Sequence, residues 1–267
     1  MFAKFNLCLR EDMLSESDFY SVGLRFYTEQ KETVHFCLDK YLAPDGSLDG
    51  EAIVEDWFPS VQANVFLSHS HKDEKSVLRL AGFLLQNYGI TSFIDSTVWG
   101  YMNDLLKMID DRYCIQNVKP NGGHIYNYEK RNQSTSHIHL MLQGAIAKMI
   151  NQCECLIFVN TPHSLNTKDI GDENATSSPW IYNELLMANT FPARCLQDYK
   201  ILGEYRADSL EHYDLSIKYR VKTNDLLDIS LNDFQSAAGK AAPMNARKVL
   251  DNIYLEKGLI VSDTICG

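Results

Sequence analysis

Trp180 and Glu184 stand four positions apart in Ser177-Ser178-Pro179-Trp180-Ile181-Tyr182-Asn183-Glu184-Leu185, where Ser-Pro opens a helix. At that spacing both side chains project from one helix face. The indole can wall off a flat ring, and the carboxylate can answer a developing positive charge. Each also has an ordinary use: tryptophan in a first turn as packing, and glutamate as a solvated charge near the positive helix N-terminus. Upstream, Asn64-Val65-Phe66-Leu67-Ser68-His69-Ser70-His71-Lys72-Asp73-Glu74 reads as a buried strand, a polar loop and a helix start.

The elements that must position these residues alternate. Val65 to Ser68 is a short apolar run of the kind buried in a parallel sheet. Val77, Leu80, Ala81, Leu84, Leu85 and Tyr88 repeat at helical spacing and stop at Gly89. A second strand follows over 90–95, then a helix carrying Met102, Leu105, Leu106, Ile109 and Tyr113. A polar insert over 116–136 contains Pro120-Asn121-Gly122-Gly123 and an aromatic-basic patch of Tyr126, Tyr128, Lys130 and Arg131, and reads as a long loop. Ile138, Met141, Leu142, Ala145, Ile146 and Met149 give another helix, 155–160 a third strand, and 165–176 a polar loop before Trp180. Apolar spacing over 28–42 and a short segment over 51–57 predict a helical N-terminal flank ending near Ser60. Residues 215–221 alternate like an edge strand, and Ala246, Val249, Leu250, Ile253 and Tyr254 mark a last helix after Pro243.

The expected architecture is therefore α/β: a doubly wound parallel sheet in a domain over 61–222, between the helical flank 1–60 and a C-terminal helical extension over 223–267. In such sheets ligands bind beyond the carboxyl ends of the strands at a switch point. Loops 68–73, 95–100 and 160–164 then open on one edge, from which the Trp180/Glu184 helix also starts.

The chain has 267 residues and a formal charge of −10, from 25 basic and 35 acidic residues. That balance argues against a broad nucleic-acid surface. Seven cysteines without framework spacing predict free thiols in a reducing compartment. Residues 1–12 are too short and polar an apolar run for a secretory signal, and Gln143, Lys148, Asn151, Gln152 and Glu154 break the apolar stretch over 138–159. A soluble, cytoplasmic protein with no membrane partner is expected.

Over about residues 64–190 the chain resembles the Toll/interleukin-1 receptor (TIR) domain family. Three matches carry the resemblance: Val65 to Glu74, similar to the first strand and acidic loop of bacterial members; Phe93-Ile94-Asp95 with Trp99-Gly100 beyond it; and Ser177 to Leu185, similar to the family's serine, tryptophan, glutamate and leucine spacing. The resemblance implies a flavodoxin-like fold and, for enzymatic members, NAD cleavage with Glu184 as the catalytic residue. NAD would be a substrate, with no further cofactor. Expelling neutral nicotinamide leaves oxocarbenium character on the ribose, which a carboxylate stabilises as in glycoside hydrolysis. The product implied is a cyclic or conjugated ADP-ribose, a signal in antiphage defence that acts on a separate effector, and self-association through TIR surfaces is expected. The role requires Glu184 at the rim of the sheet facing a hollow; burial in an apolar interior would remove it.

The resemblance also places Ser68, His69 and Ser70 at the pocket rim, toward nicotinamide or phosphate. Many members carry arginine near the place of Ser70, so phosphate contacts fall here to Lys72, Lys130 or Arg131. Asp95 is either a ribose contact or a turn former, and Trp99 an opposite wall, a self-association residue or a buried anchor. The pairs His69/His71 and His137/His139 lack the carboxylate or cysteine grouping of a zinc site, so no metal is expected. Cys153 and Cys155 read as core thiols. Two other functions fit the residues: a non-enzymatic TIR adaptor module that does not depend on Glu184, and an enzyme accepting free nucleosides.

Overall fold

A computed structural model describes residues 1–10, 13–14, 17–31, 38–94, 96–165, 175–191, 219–220, 223–240 and 245–260. Its centre is a five-stranded, all-parallel sheet of β1 (Ala3–Cys8), β2 (Val65–Ser68), β3 (Ser92–Ile94), β6 (Cys155–Asn160) and β9 (Leu227–Ile229), in the order β3-β2-β6-β1-β9. Alternate residues of each strand feed opposite faces. Phe66, Phe93, Leu156 and Phe158 pack into one apolar layer; Phe5, Leu7, Val65, Leu67, Ile94, Ile157 and Val159 pack into the other. The first layer is closed by α2 (Gly50–Trp57), α4 (Ser96–Ile109), α5 (Tyr128–Gln152) and α6 (Pro179–Thr190). The second is closed by α1 (Ser17–Lys31), α3 (Glu74–Tyr88), α7 (Leu231–Ala238) and α8 (Ala246–Glu256). Helices on both faces of a parallel sheet are the doubly wound α/β arrangement.

Numbered from β2, the strands β3-β2-β6 lie in the order 2-1-3, so the order of strand addition reverses between β2 and β6 while every strand stays parallel. The next two places are filled from the two ends of the sequence, by β1 and β9. The flank expected to be helical over 1–60 therefore contains an interior strand beside its helices. The extension expected to be helical over 223–267 likewise begins with an edge strand. β1 was hidden because its outward positions are polar: Lys4 donates to Asn189 Oδ1 at 2.8 Å, and Asn6 donates to Asp228 Oδ1 at 2.9 Å.

The insert over 116–136 is ordered rather than a long loop. After a π-helical turn over Asp110–Cys114, β4 (Ile115–Val118) and β5 (His124–Tyr126) form an antiparallel hairpin, turning at Gly122 with φ 81°. α5 then starts at Tyr128, capped by Asn127, so His137 and His139 lie within the helix instead of at its start. α4 begins at Ser96, which makes Trp99 and Gly100 helical rather than part of a loop. Of the expected strand over 215–221 only Tyr219 and Arg220 are among the described residues; they form β8 (Tyr219–Arg220), paired antiparallel with β7 (Ala175–Thr176) in a separate two-stranded sheet. Among the described residues no helix is long and apolar enough to cross a membrane.

Candidate functional site at the switch point

Ser178 begins α6 by accepting the Ile181 N–H at 3.3 Å, and Pro179 fills the first helical place, where its missing N–H costs nothing. The helix then buries Ile181, Glu184, Leu185 and Ala188, the spacing of a core stripe. Glu184 thus occupies a position that would ordinarily be apolar, and it is 0% exposed. Opposite it, β2 ends in Ser68, whose hydroxyl donates to Glu184 Oε2 at 2.6 Å. Burying a carboxylate is costly unless hydrogen bonds replace water, and Ser68 supplies one. The carboxylate therefore stands at the carboxyl end of β2, beside the β2/β6 reversal, where the sequence places it. It is closed from solvent there, and the exposure its expected role requires is not met in this conformation.

Trp180 and Glu184 do not form one wall. Trp180 is half-buried and packs against the His139 ring of α5, with centroids 5.7 Å apart, while Glu184 turns to the sheet. His69 is buried, with Nδ1 3.2 Å from the Leu67 carbonyl. Ser70 caps the short 3-10 turn over His71–Asp73, accepting the Lys72 N–H, and Lys72 is exposed at the same edge. Asp95 lies outside the described residues, as do residues 166–174 of the loop before α6.

Arg131 and its neighbours are committed elsewhere. Its guanidinium donates to the buried Asp110 at 2.9 Å and stacks over Tyr126, 5.3 Å from the ring centroid. Ser134 donates to Asp110 as well. Tyr126 donates to Asp111; that bond pushes the phenol up and holds the Asp111 carboxyl down. This network braces the hairpin against α5, so Arg131 is not a free phosphate donor. Burial pushes the Cys155 thiol far up, as expected for a core thiol.

One cluster at the switch point was not anticipated. Thr161 and His163 follow β6 directly, and Asp73 precedes α3. Asp73 is 7% exposed and accepts from Thr161 Oγ1, and its other oxygen lies 2.7 Å from His163 Nδ1. Thr161 Oγ1 in turn accepts the N–H groups of His163 and Ser164, both at 3.2 Å, and Ser164 Oγ accepts the Thr161 N–H at 2.8 Å. The imidazole is 47% exposed. Ser68 is level with Phe158, three residues before Thr161, so the Cα atoms of Ser68 and Thr161 are within roughly 11 Å, given about 4.8 Å between strands and about 3.3 Å per residue. The signal was the position of loop 160–164 at the strand's carboxyl end; a single histidine there carried no spacing to mark it.

Among the described residues no group of three or more His, Cys, Asp or Glu side chains is placed to hold a metal ion. The chain matches no protein-family model, and neither a curated protein nor a solved structure matches it.

Proposed function

We propose that this chain is an NAD-cleaving enzyme of TIR type, releasing nicotinamide and forming a cyclic or conjugated ADP-ribose. One observation carries the reading: a glutamate in the core stripe of α6 meets a serine hydroxyl at the carboxyl end of β2, beside the sheet's reversal. A buried carboxylate at a ligand edge does not serve packing, since an apolar residue would fill that stripe at less cost. Near a ribosyl carbon it would stabilise the charge left as nicotinamide departs. The 2-1-3 order of β3, β2 and β6 agrees with a flavodoxin-like core for residues 64–190. The product would act as a signal to a separate effector in antiphage defence, and copies of the chain would associate through TIR surfaces.

A second reading, an adaptor module without catalysis, is favoured by the closure of Glu184 from solvent. Catalysis requires α6 and the end of β2 to separate far enough for a ribose to replace the Ser68 contact; an adaptor requires no such opening. The purified chain and its Glu184→Gln variant, incubated with NAD in dilute and concentrated solution, distinguish the two. Nicotinamide release by the parent and not by the variant is the result expected, with NAD consumption read by mass spectrometry. Equal release by both would remove Glu184 from the chemistry, and release by neither would favour the adaptor.

A further inference from the structure

We infer that His163, oriented by Asp73, takes the proton from the hydroxyl that attacks the ribosyl carbon after nicotinamide has left. The inference rests on the NAD-cleaving reading and assigns the half of the reaction that Glu184 does not perform.

Glu184 answers positive charge, but the reaction also needs a base. When the C1′–N bond breaks, its electron pair leaves with nicotinamide. When a water or sugar hydroxyl then forms the C1′–O bond, its O–H proton must be removed. The loop after β6 presents a group built for this. Asp73 is almost fully buried, and its two oxygens are engaged by Thr161 Oγ1 and by His163 Nδ1. With Nδ1 donating to the carboxylate, a neutral imidazole carries its lone pair on Nε2. The His163 side chain is half exposed, whereas Asp73 is buried. Thr161 and Ser164 hold the loop through three backbone N–H contacts, so the imidazole is anchored at both its carboxylate and its main chain. A buried carboxylate orienting an accessible imidazole is the arrangement of a general base and its positioning residue.

The site geometry separates the two roles. Ser68 projects with Phe66 toward the α5/α6 layer, where Glu184 lies; Asp73 leads into α3, in the opposite layer. The Glu184 carboxylate meets the end of β2 and the His163 imidazole meets Asp73 five residues further along the same chain segment, so both groups belong to the carboxyl-end edge of β2 and β6. A lock that merely tied the β6 loop to α3 would not need the imidazole, because Thr161 already bonds Asp73.

The test separates departure of nicotinamide from capture of the ribosyl group. Wild-type chain, His163→Ala and Asp73→Asn are each given NAD with isotopically labelled nicotinamide. Two rates are read by mass spectrometry: label entering NAD, and ADP-ribose product accumulating. Exchange uses departure and return of a neutral base and needs no proton acceptor; product formation does. His163→Ala is expected to lose about a hundredfold or more in product formation while exchange persists. Added imidazole should restore part of the product, and Asp73→Asn should show the same change in ratio to a smaller degree. An unchanged ratio of exchange to product in both variants would overturn the inference and leave His163 a loop residue. Absence of both activities in the wild type would instead overturn the NAD-cleaving reading, and the inference with it. His163→Gln, which retains a polar contact to Asp73, gives the same ratio if the alanine variant does not fold.

Discussion

The hydroxyl of Ser68 reaches across 116 positions of sequence to the carboxylate of Glu184, joining the end of β2 to the core stripe of α6. Ser68→Ala withdraws that donor from a fully buried acid. Loss of a hydrogen bond to a buried charged group costs about 1–3 kcal/mol, so the variant should unfold at correspondingly lower urea concentration. A variant as stable as the parent would show that water or another group replaces Ser68 without cost.

The crossing of α1 over α3 rests on two glycines in backbone contact. A Cβ built on Gly82 would lie 1.9 Å from the Phe19 carbonyl oxygen, and one on Gly23 would lie 2.0 Å from the Leu78 carbonyl oxygen. No side-chain rotation relieves a clash with main chain, so the helices must move apart and open the packing around Phe19 and Phe83, whose rings meet edge to face at 5.3 Å. Gly82→Ala should therefore cost at least about 2 kcal/mol, the upper part of the overpacking range, despite alanine's better helix propensity. Equilibrium denaturation measures the loss; a stabilised variant would contradict the close crossing.

β1 makes the first residues of the sequence part of the core. It pairs with β6 over Ala3 to Cys8 and with β9 over Phe5 to Leu7, and Phe5 is fully buried. Deleting residues 1–8 should leave β6 and β9 unpaired across the gap and abolish cooperative unfolding. The milder Phe5→Ala should cost about 3–5 kcal/mol. A truncated chain with an intact, cooperative melt would mean that the sheet closes without β1.

The parts legible in the sequence are those in which one local signal suffices. β2 and β6 are near-continuous apolar runs, as strands covered on both faces must be. α3 shows an uninterrupted helical period and ends at Gly89, whose φ of 67° needs glycine. The Ser178-Pro179 start of α6 was readable for the same reason, and with it the place of Glu184. β1 was not legible, because Lys4 and Asn6 find their partners only in α6 and β9, far along the chain. β4 and β5 were masked by polar, exposed residues such as Asn117 and His124 in a hairpin that covers no core. His163 is functional in this reading only through Asp73, 90 positions away, a contact that no spacing reveals.

At the amino-terminal edge of the sheet Glu154 precedes β6, and its Oε2 is buried with no hydrogen-bond partner among the described residues. Burial, reinforced by the charge of Asp251, pushes its carboxyl above the ordinary range; Asp251 is raised too, by burial. The sign follows from proton uptake. Between the unfolded and the folded pKa the native state binds more protons than the unfolded chain, so stability falls as pH rises through that window. These two groups oppose folding at neutral pH and cease to do so on acidification toward the ordinary carboxylate range. Glu154→Gln removes the buried charge and lowers the repulsion on Asp251. It should raise the melting temperature at neutral pH and should flatten the rise in stability as the pH falls toward the ordinary carboxylate range. Thermal melts of both proteins from neutral pH down to that range provide the measurement. A parent protein whose stability is flat with pH, or a variant that melts lower at neutral pH and unchanged in the carboxylate range, would show that Glu154 is charged and favourably paired in the fold.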